Sequence, residues 1–377
     1  MPQPQIQYGR CESVGEVLAA WQAQRLFCVM DRTAMEASGA RELLSNSWAS
    51  RHVDDFDRFQ VNPRLEDALL GLEKFRASGC DALLAVGGGT AMDLAKVIRC
   101  LAAQRSPLQH ILQGSCCIAA SPIPLIAIPT TAGTGSEATH FAVLYADGVK
   151  HSLADHSLLP EVAVLDWRLT QSLPPRITAE TGLDAMCQAI ESLWCVNSTA
   201  QSMAYAEEAL RWILPHLPAA VHRGDPVARQ AMCRAAHLAG QAINLTKTTA
   251  PHAVSYTMTH DFGVPHGHAV ALTLGAFLQF NAEVTSDDCN DPRGVEHVRD
   301  TIARIGSHFG SHSPPQTRAL LDRFLGELGC ETSLSRLGID TRSKRQQIAC
   351  GVNLERLRNN PRQITPQQLD ELLQALP

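Results

Sequence analysis

The stretch APHAVSYTMTHDFGVPHGHA, from Ala250 to Ala269, carries four histidines: His252, His260, His266 and His268. Imidazole is the commonest metal ligand and proton carrier near neutral pH. His252 lies in a helix-like run, and FGVPHG breaks that run before His266. A chain that doubles back there can bring the two rings together. A distant stretch, ETGLDAMCQAIES, looks helical and sets Asp184 and Gln188 four residues apart, on one face. Read alone, Asp184 is an exposed residue near a helix start, because charged groups are seldom buried without a partner. One carboxylate with two histidines is also a common divalent-metal set with an open position. His110, His216, His297, His308 and His312 have no motif around them and read as surface residues.

Two further stretches suit an anion. In DALLAVGGGTAMDLAK a strand, a glycine turn and a helix follow one another. Gly87, Gly88 and Gly89 let the backbone approach a phosphate with no Cβ in the way. Thr90 stands where a helix N-cap would, with Asp93 three residues on as in a capping box, and the N–H groups of that helix start bind phosphate. Met92 occupies the last glycine's place of the G-x-G-x-x-G fingerprint, so this is a different loop from the usual dinucleotide one. IPTTAGTGSE, Ile128–Glu137, is a second strand and polar turn, with hydroxyls on Thr130, Thr131, Thr134 and Ser136. Asp31 ends the strand RLFCVM; it is either a turn aspartate or an acceptor for a ribose 2′-hydroxyl.

The elements that must position these residues differ between the halves. The first half alternates apolar runs (Arg25–Met30, Asp81–Val86, Ile123–Pro129) with amphipathic stretches such as Pro63–Ser78, the pattern of a parallel α/β sheet covered on both faces. After Pro174 and Pro175 long helical patterns take over. The boundaries expected are an α/β dinucleotide-binding domain over 1–173 and an all-α metal- and substrate-binding domain over 174–377. A length of 377 residues suits two such domains. The net charge of −6 and 5% aromatics give no footing for nucleic acid. The longest apolar runs fall far short of the roughly 20 residues that cross a membrane, and the N-terminus has no apolar signal core. A cytoplasmic protein with no membrane partner is expected. The twelve cysteines, Cys116–Cys117 being the one adjacent pair, read as mostly reduced and buried.

Together, GGGTAMDLAK, IPTTAGTGSE, SLPPRITAETGLDAMCQAIES and HAVSYTMTHDFGVPHGHA resemble the group III, metal-dependent (iron-containing) alcohol dehydrogenases, in that family's order. The last piece, with NLTKTTAP before it, resembles the phosphonoacetaldehyde reductase branch. The resemblance implies a Rossmann-like N-terminal domain and an all-α C-terminal domain, the dehydroquinate synthase-like fold, with NAD(H) rather than NADP(H), a divalent Fe²⁺ or Zn²⁺, and a homodimer. It puts Asp31 where the family chooses between NAD and NADP. Gly88, Gly89, Thr90 and Asp93 fall on the pyrophosphate loop, and Thr130, Thr131, Ser136 and Lys150 on further cofactor contacts. Asp184, His252 and His266 fall on three of four metal ligands. Two positions depart from the pattern. Gln188 replaces the fourth ligand, usually His, and an amide oxygen binds a divalent ion more weakly than imidazole. Tyr256 replaces a histidine near the substrate, so Tyr256 and His260 are the candidate proton carriers.

The implied reaction is reduction of a small aldehyde by NADH at a Lewis-acidic metal, with phosphonoacetaldehyde giving 2-hydroxyethylphosphonate. A small anionic aldehyde needs cationic partners. Lys247 and His268 are the candidates; the alternatives are a solvated surface lysine and a structural histidine. Other readings are a reductase of lactaldehyde or an aliphatic aldehyde, a non-redox cyclase of the dehydroquinate synthase type, and a metal-free nucleotide binder.

Overall fold

The strands of the first half are apolar along their whole length because both of their faces are covered. The computed structural model describes residues 5–104, 106, 108–112, 118–146 and 149–377; Cys116 and Cys117 lie outside the described residues. The chain divides into two compact units, Met1–Leu173 and Pro174–Pro377.

In the first unit β1 (Gln5–Tyr8) and α1 (Val14–Ala20) precede β2 (Arg25–Met30), α2 (Arg32–Ala37), α3 (Ala40–Trp48) and β3 (His52–Phe56). Then come α4 (Leu65–Ser78), β4 (Ala82–Gly87), α5 (Gly89–Ala103), α6 (Leu108–Leu112) and β5 (Leu125–Pro129). A hairpin, β6 (Phe141–Ala146) and β7 (Val149–Ala154), is followed by β8 (Val162–Leu165). Among the described residues these form a six-stranded parallel sheet, in the order β1-β8-β5-β4-β2-β3, with β6 and β7 paired apart from it. Alternate side chains of each strand enter two separate cores. Phe27, Val29, Leu83, Ala85 and Leu125 pack with α4 and α5 on one face. Leu26, Cys28, Leu84, Val86 and Ile126 pack with α1 and α3 on the other. The three strands expected from sequence are present, with edges shifted by one or two residues in two of them. Five further strands were not expected: β3 and β7 are half-buried and polar-rich and lack a continuous apolar run, β1 is short and polar, whereas β6 (FAVLYA) and β8 (VAVL) do carry such a run.

The second unit is helical: α7 (Pro175–Trp194), α8 (Ala200–Arg223), α9 (Pro226–Thr246), α10 (Ala250–Phe262), α11 (His266–Ala282), α12 (Val295–His308), α13 (Pro314–Glu327), α14 (Arg342–Cys350), α15 (Leu354–Leu357) and α16 (Pro366–Gln374). Pro175 opens α7 rather than breaking it, since the first turn needs no N–H there. α7 is the centre of the unit: every residue from Gly182 to Trp194 is buried. A helix apolar nearly all round belongs inside. The polar residues it does carry, Asp184, Gln188, Glu191 and Ser192, must find partners there.

The ten described cysteines are free, and six of them are buried. Burial pushes up the thiols of Cys11, Cys28, Cys80, Cys187 and Cys195, the last to about 12.

Candidate metal and cofactor sites

Asp184 sits mid-helix on α7, buried, and not at an exposed helix start. Two distant histidines meet it. One ligand atom each from Asp184, His252 and His266 lies within 4.8 Å of the others. His252 Nε2 is 3.3 Å from Asp184 Oδ1, and the His252 and His266 rings stand edge to face at 5.3 Å. The helix break at Gly263–Pro265 reverses the chain so that His252, in the first turn of α10, and His266, the first residue of α11, meet. Gly267 makes that approach possible: a Cβ there would stand 2.0 Å from the Glu180 carbonyl oxygen and 2.8 Å from Asp184 Cβ. Only glycine lets α11 lie this close to α7.

Behind the cluster lies Glu191, fully buried. Its Oε1 accepts from Thr249 N and Thr249 Oγ1, both at 2.8 Å, and its Oε2 takes the Nδ1 proton of His252. That hydrogen bond fixes the His252 tautomer and turns Nε2 toward Asp184, the arrangement that metal-binding histidines use. Burial disfavours the charged His252 ring, but the Glu191 and Asp184 carboxylates outweigh it and raise the ring to about 9. Burial alone would raise the Asp184 carboxyl; the His252 hydrogen bond, the two nearby rings and the Gln188 amide hold it below its ordinary range. Gln188, one turn along α7, donates its amide to Asp184, so its buried Oε1 remains an acceptor with capacity for a cation. Ser255 Oγ stands 3.3 Å from His266 Nδ1. A carboxylate, an amide oxygen and two imidazoles fit a divalent ion with room for a substrate oxygen. The cation would relieve the electrostatic demand of a buried carboxylate pair.

In the first unit, β4 ends at Gly87, Gly88 is the N-cap and α5 starts at Gly89. The strand after it, β5, leads into the second loop, and the two loops touch. A Cβ on Gly89 would stand 2.9 Å from Thr134 Cγ2, and one on Gly88 3.5 Å from Thr131 Cγ2. Thr130 N donates to the Gly87 carbonyl at 2.9 Å. Thr130 Oγ1 is buried with no hydrogen-bond partner among the described residues. Asp31 ends β2, next to β4, and its Oδ1 accepts from Ala34 N at 3.0 Å to cap α2. The two loops and Asp31 thus share the carboxyl edge of one parallel sheet, the place where such sheets hold nucleotides. The N-terminus of α5, fifteen residues long, presents backbone N–H groups of the kind that suit a phosphate.

Residues 4–167 match the family model of iron-containing alcohol dehydrogenase, and 178–376 match that of the Fe-containing alcohol dehydrogenase C-terminal domain. The chain belongs to the iron-containing alcohol dehydrogenase family. It is 36% identical over 345 residues to a phosphonoacetaldehyde reductase of Streptomyces viridochromogenes, covering 86% of this chain and 84% of that protein. Its fold is similar to that of a sulfoacetaldehyde reductase from Bifidobacterium kashiwanohense solved with NAD⁺. There the TM-score is 0.87 at 29% identity, over 100% of this chain and 97% of the other. A solved 1,3-propanediol oxidoreductase gives a TM-score of 0.86 at 26% identity, over 99% and 98%. The protein is therefore an NAD-linked oxidoreductase of the aldehyde reductase and alcohol dehydrogenase type, and the cyclase reading is set aside. No helix among the described residues is long and apolar enough to cross a membrane.

Several expected roles land differently in this alcohol dehydrogenase. Thr90 is not the N-cap; it lies inside α5 and accepts from Asn62 N at 3.3 Å. Asp93 completes no capping box. It is buried, and its carboxylate takes donors from the second loop and β6: Ser136 Oγ at 2.6 Å and Val143 N at 3.0 Å. Asp93 and Ser136 thus bond each other, with Lys150 close enough to act on Asp93 electrostatically. His260 sits at the exposed end of α10, about two turns from His252, with Nδ1 2.7 Å from Asp261 Oδ1. That geometry supports no proton transfer at the cluster. His268 is buried with Nε2 2.7 Å from the Glu331 carbonyl, a structural bond. Lys247 is exposed and caps α9 with φ +67, a backbone that side-chain-bearing residues rarely adopt. Tyr256 stacks its ring on His266, 5.8 Å between centroids and 3° from parallel. Of the five histidines read as surface residues, His110 and His312 are exposed, whereas His216, His297 and His308 are half-buried.

Three residues were missed. Glu191 carries a readable signal, standing seven after Asp184 on the same helix face. Lys96 stands three after Asp93; it is fully buried and donates to Ser136 O at 2.6 Å, Thr139 O at 2.9 Å and Phe141 O at 2.8 Å. It ties the second loop to α5. Gly267 has no sequence signal, because its need appears only when α11 meets α7.

Proposed function

We propose that this protein reduces phosphonoacetaldehyde to 2-hydroxyethylphosphonate with NADH, the first unit holding the nucleotide and the second the metal and the aldehyde. The convergence of Asp184, His252 and His266, backed by Glu191, carries the catalytic half of this reading. The substrate half is supported by likeness to two reductases whose named substrates are acetaldehydes bearing a strong oxyanion.

Asp184, His252, His266 and Gln188 would hold a divalent ion, which would supply Lewis acidity to the aldehyde oxygen, with NADH as the hydride source. Glu191 keeps Nε2 of His252 aimed at the cluster. Tyr256 Oη carries the proton for the alkoxide; burial raises the phenol, so this atom stays protonated at neutral pH. Gly88, Gly89, Thr130 and Thr131 receive the pyrophosphate, and Asp31 favours NADH by accepting from the ribose and repelling a 2′-phosphate. Lys247 offers a charge to the substrate's anion.

NADH oxidation by metal-reconstituted protein, measured with phosphonoacetaldehyde and with propanal, tests this. The expected kcat/KM ratio is at least about 100 in favour of the phosphonate. Equal rates on the two aldehydes would sink the substrate assignment, and no turnover of either would sink the reaction.

A further inference from the structure

We propose that Arg356 reads the anionic head group of the substrate, as a specificity-determining residue that no sequence motif points to. The inference rests on the aldehyde reductase reading of the second unit's site. Arg356 lies on α15, half-buried. Its Nη1 donates to Tyr256 Oη at 2.8 Å, and its guanidinium carbon stands 4.8 Å from the centre of the Tyr256 ring. That ring stacks in turn on His266. One aromatic side chain thus separates a cation from the metal cluster. Tyr256 Oη, the proton carrier for the carbonyl oxygen in that reading, itself accepts from Arg356, so a substituent two bonds from the carbonyl carbon would come within reach of the guanidinium.

Two other arginines of the unit are paired with carboxylates. Arg293 is matched by Asp291 at 2.6 Å, and Arg362 by Asp288 at 2.7 Å. Among the described side chains no carboxylate pairs with Arg356, whose hydrogen bond goes to a neutral phenol. A guanidinium has five N–H donors in a fixed fork, so most of them remain for a ligand. That fork matches two oxygens of a phosphonate or a sulfonate, and the planar group resting on Tyr256 is already oriented. A neutral aldehyde gives it nothing to bind.

The segment is also anchored. Asn359 Nδ2 donates to the Thr248 carbonyl at 3.1 Å, and Asn359 Oδ1 accepts from Asn197 Nδ2 at 3.3 Å. Arg356 therefore belongs to a stretch fastened to the loop that presents Lys247 in its unusual backbone conformation. Arg356 and Lys247 are thus two cations on joined segments, and a tetrahedral oxyanion two bonds from the carbonyl carbon is the chemistry they would recognise.

The test compares wild type, Arg356→Gln and Arg356→Lys on phosphonoacetaldehyde, sulfoacetaldehyde and propanal, with inhibition by 2-hydroxyethylphosphonate as a binding readout. In R356Q the kcat/KM ratio of either anionic aldehyde to propanal is expected to fall about 100-fold, through KM, with the inhibition constant rising in parallel. R356K, which keeps the charge and loses the fork, is expected to recover part of the ratio. If R356Q lowers all three substrates equally, Arg356 merely supports Tyr256 and the proposal is overturned. A wild type that shows no preference for anionic aldehydes overturns the substrate assignment itself, and that arm is read without any variant.

Discussion

In the first unit the anion loop is one continuous stretch, Gly87 to Asp93, and what it offers a ligand is backbone. In the second unit Asp184, His252 and His266 come from three helices, and what they offer is side chains. The loop is held from outside: Lys96 and Asp93 bind the neighbouring segment 136–143, and Gly89 lets Thr134 come close. The cluster is held from behind, by Glu191 on His252 and by the approach that Gly267 allows. A backbone site tolerates change in most side chains and fails where a Cβ intrudes. A side-chain site fails wherever one ligand or its orienting partner is lost.

The largest expected effect breaks the cluster alone. Asp184→Asn should lose bound metal by elemental analysis and at least about 1000-fold in NADH-dependent aldehyde reduction. NADH binding to the same variant, followed by fluorescence, should change by less than about twofold because the loop and the cluster belong to different compact units. Removing the metal from wild type with a chelator should reproduce this and reverse on adding it back. Coupled loss of NADH binding would contradict the division of labour.

A smaller effect probes support from behind. Glu191→Gln keeps the shape but weakens the hold on His252, and metal affinity by competitive titration should fall about 10- to 100-fold. The converse for the loop is Gly89→Ala, whose Cβ must displace Thr134; NADH should bind about tenfold more weakly, with metal content retained.

The smallest concerns Lys96. Burial lowers its ammonium to about 8, against the pull of Asp93 and Glu137, from an ordinary 10.5. Between those values the native chain has released this proton while the unfolded chain still holds it. The contribution of this group to stability therefore rises with pH across that window. Urea midpoints of wild type and Lys96→Met should diverge in favour of wild type as pH rises from about 8 to about 10. A parallel course of the two profiles would show Lys96 to be charged throughout.

How far the sequence could be read follows the same contrast. GGGTAMDLAK announces a strand, a turn and a helix because all the parts are neighbours along the chain. Even so, it misassigned Thr90 and Asp93, since the donors that claim Asp93 arrive from residues 136 and 143. His252 and His266 were legible as a pair because one helix break lies between them. Asp184 joined them as the carboxylate that a divalent-metal set needs, while Glu191, on the same face of α7, passed unread because a carboxylate facing inward looks like any other until its partners are placed. His268 takes the structural alternative left open for it, and His260 points away from the cluster, because proximity in sequence says nothing about which side of a helix meets the cluster.

Composition, apolar patterning and contiguous motifs by themselves determined a parallel α/β half and a helical half, a glycine turn between strand and helix, and a set of residue types suited to a metal. These properties depend on periods of two and 3.6 residues and on near neighbours in the chain. Tertiary structure decided which carboxylate orients His252, which glycine admits α11 to α7, and that a cation on α15 lies against Tyr256. Each of those depends on contacts between residues more than 60 positions apart, where burial forces polar groups to be paired and the chain's local pattern carries no record of the partner.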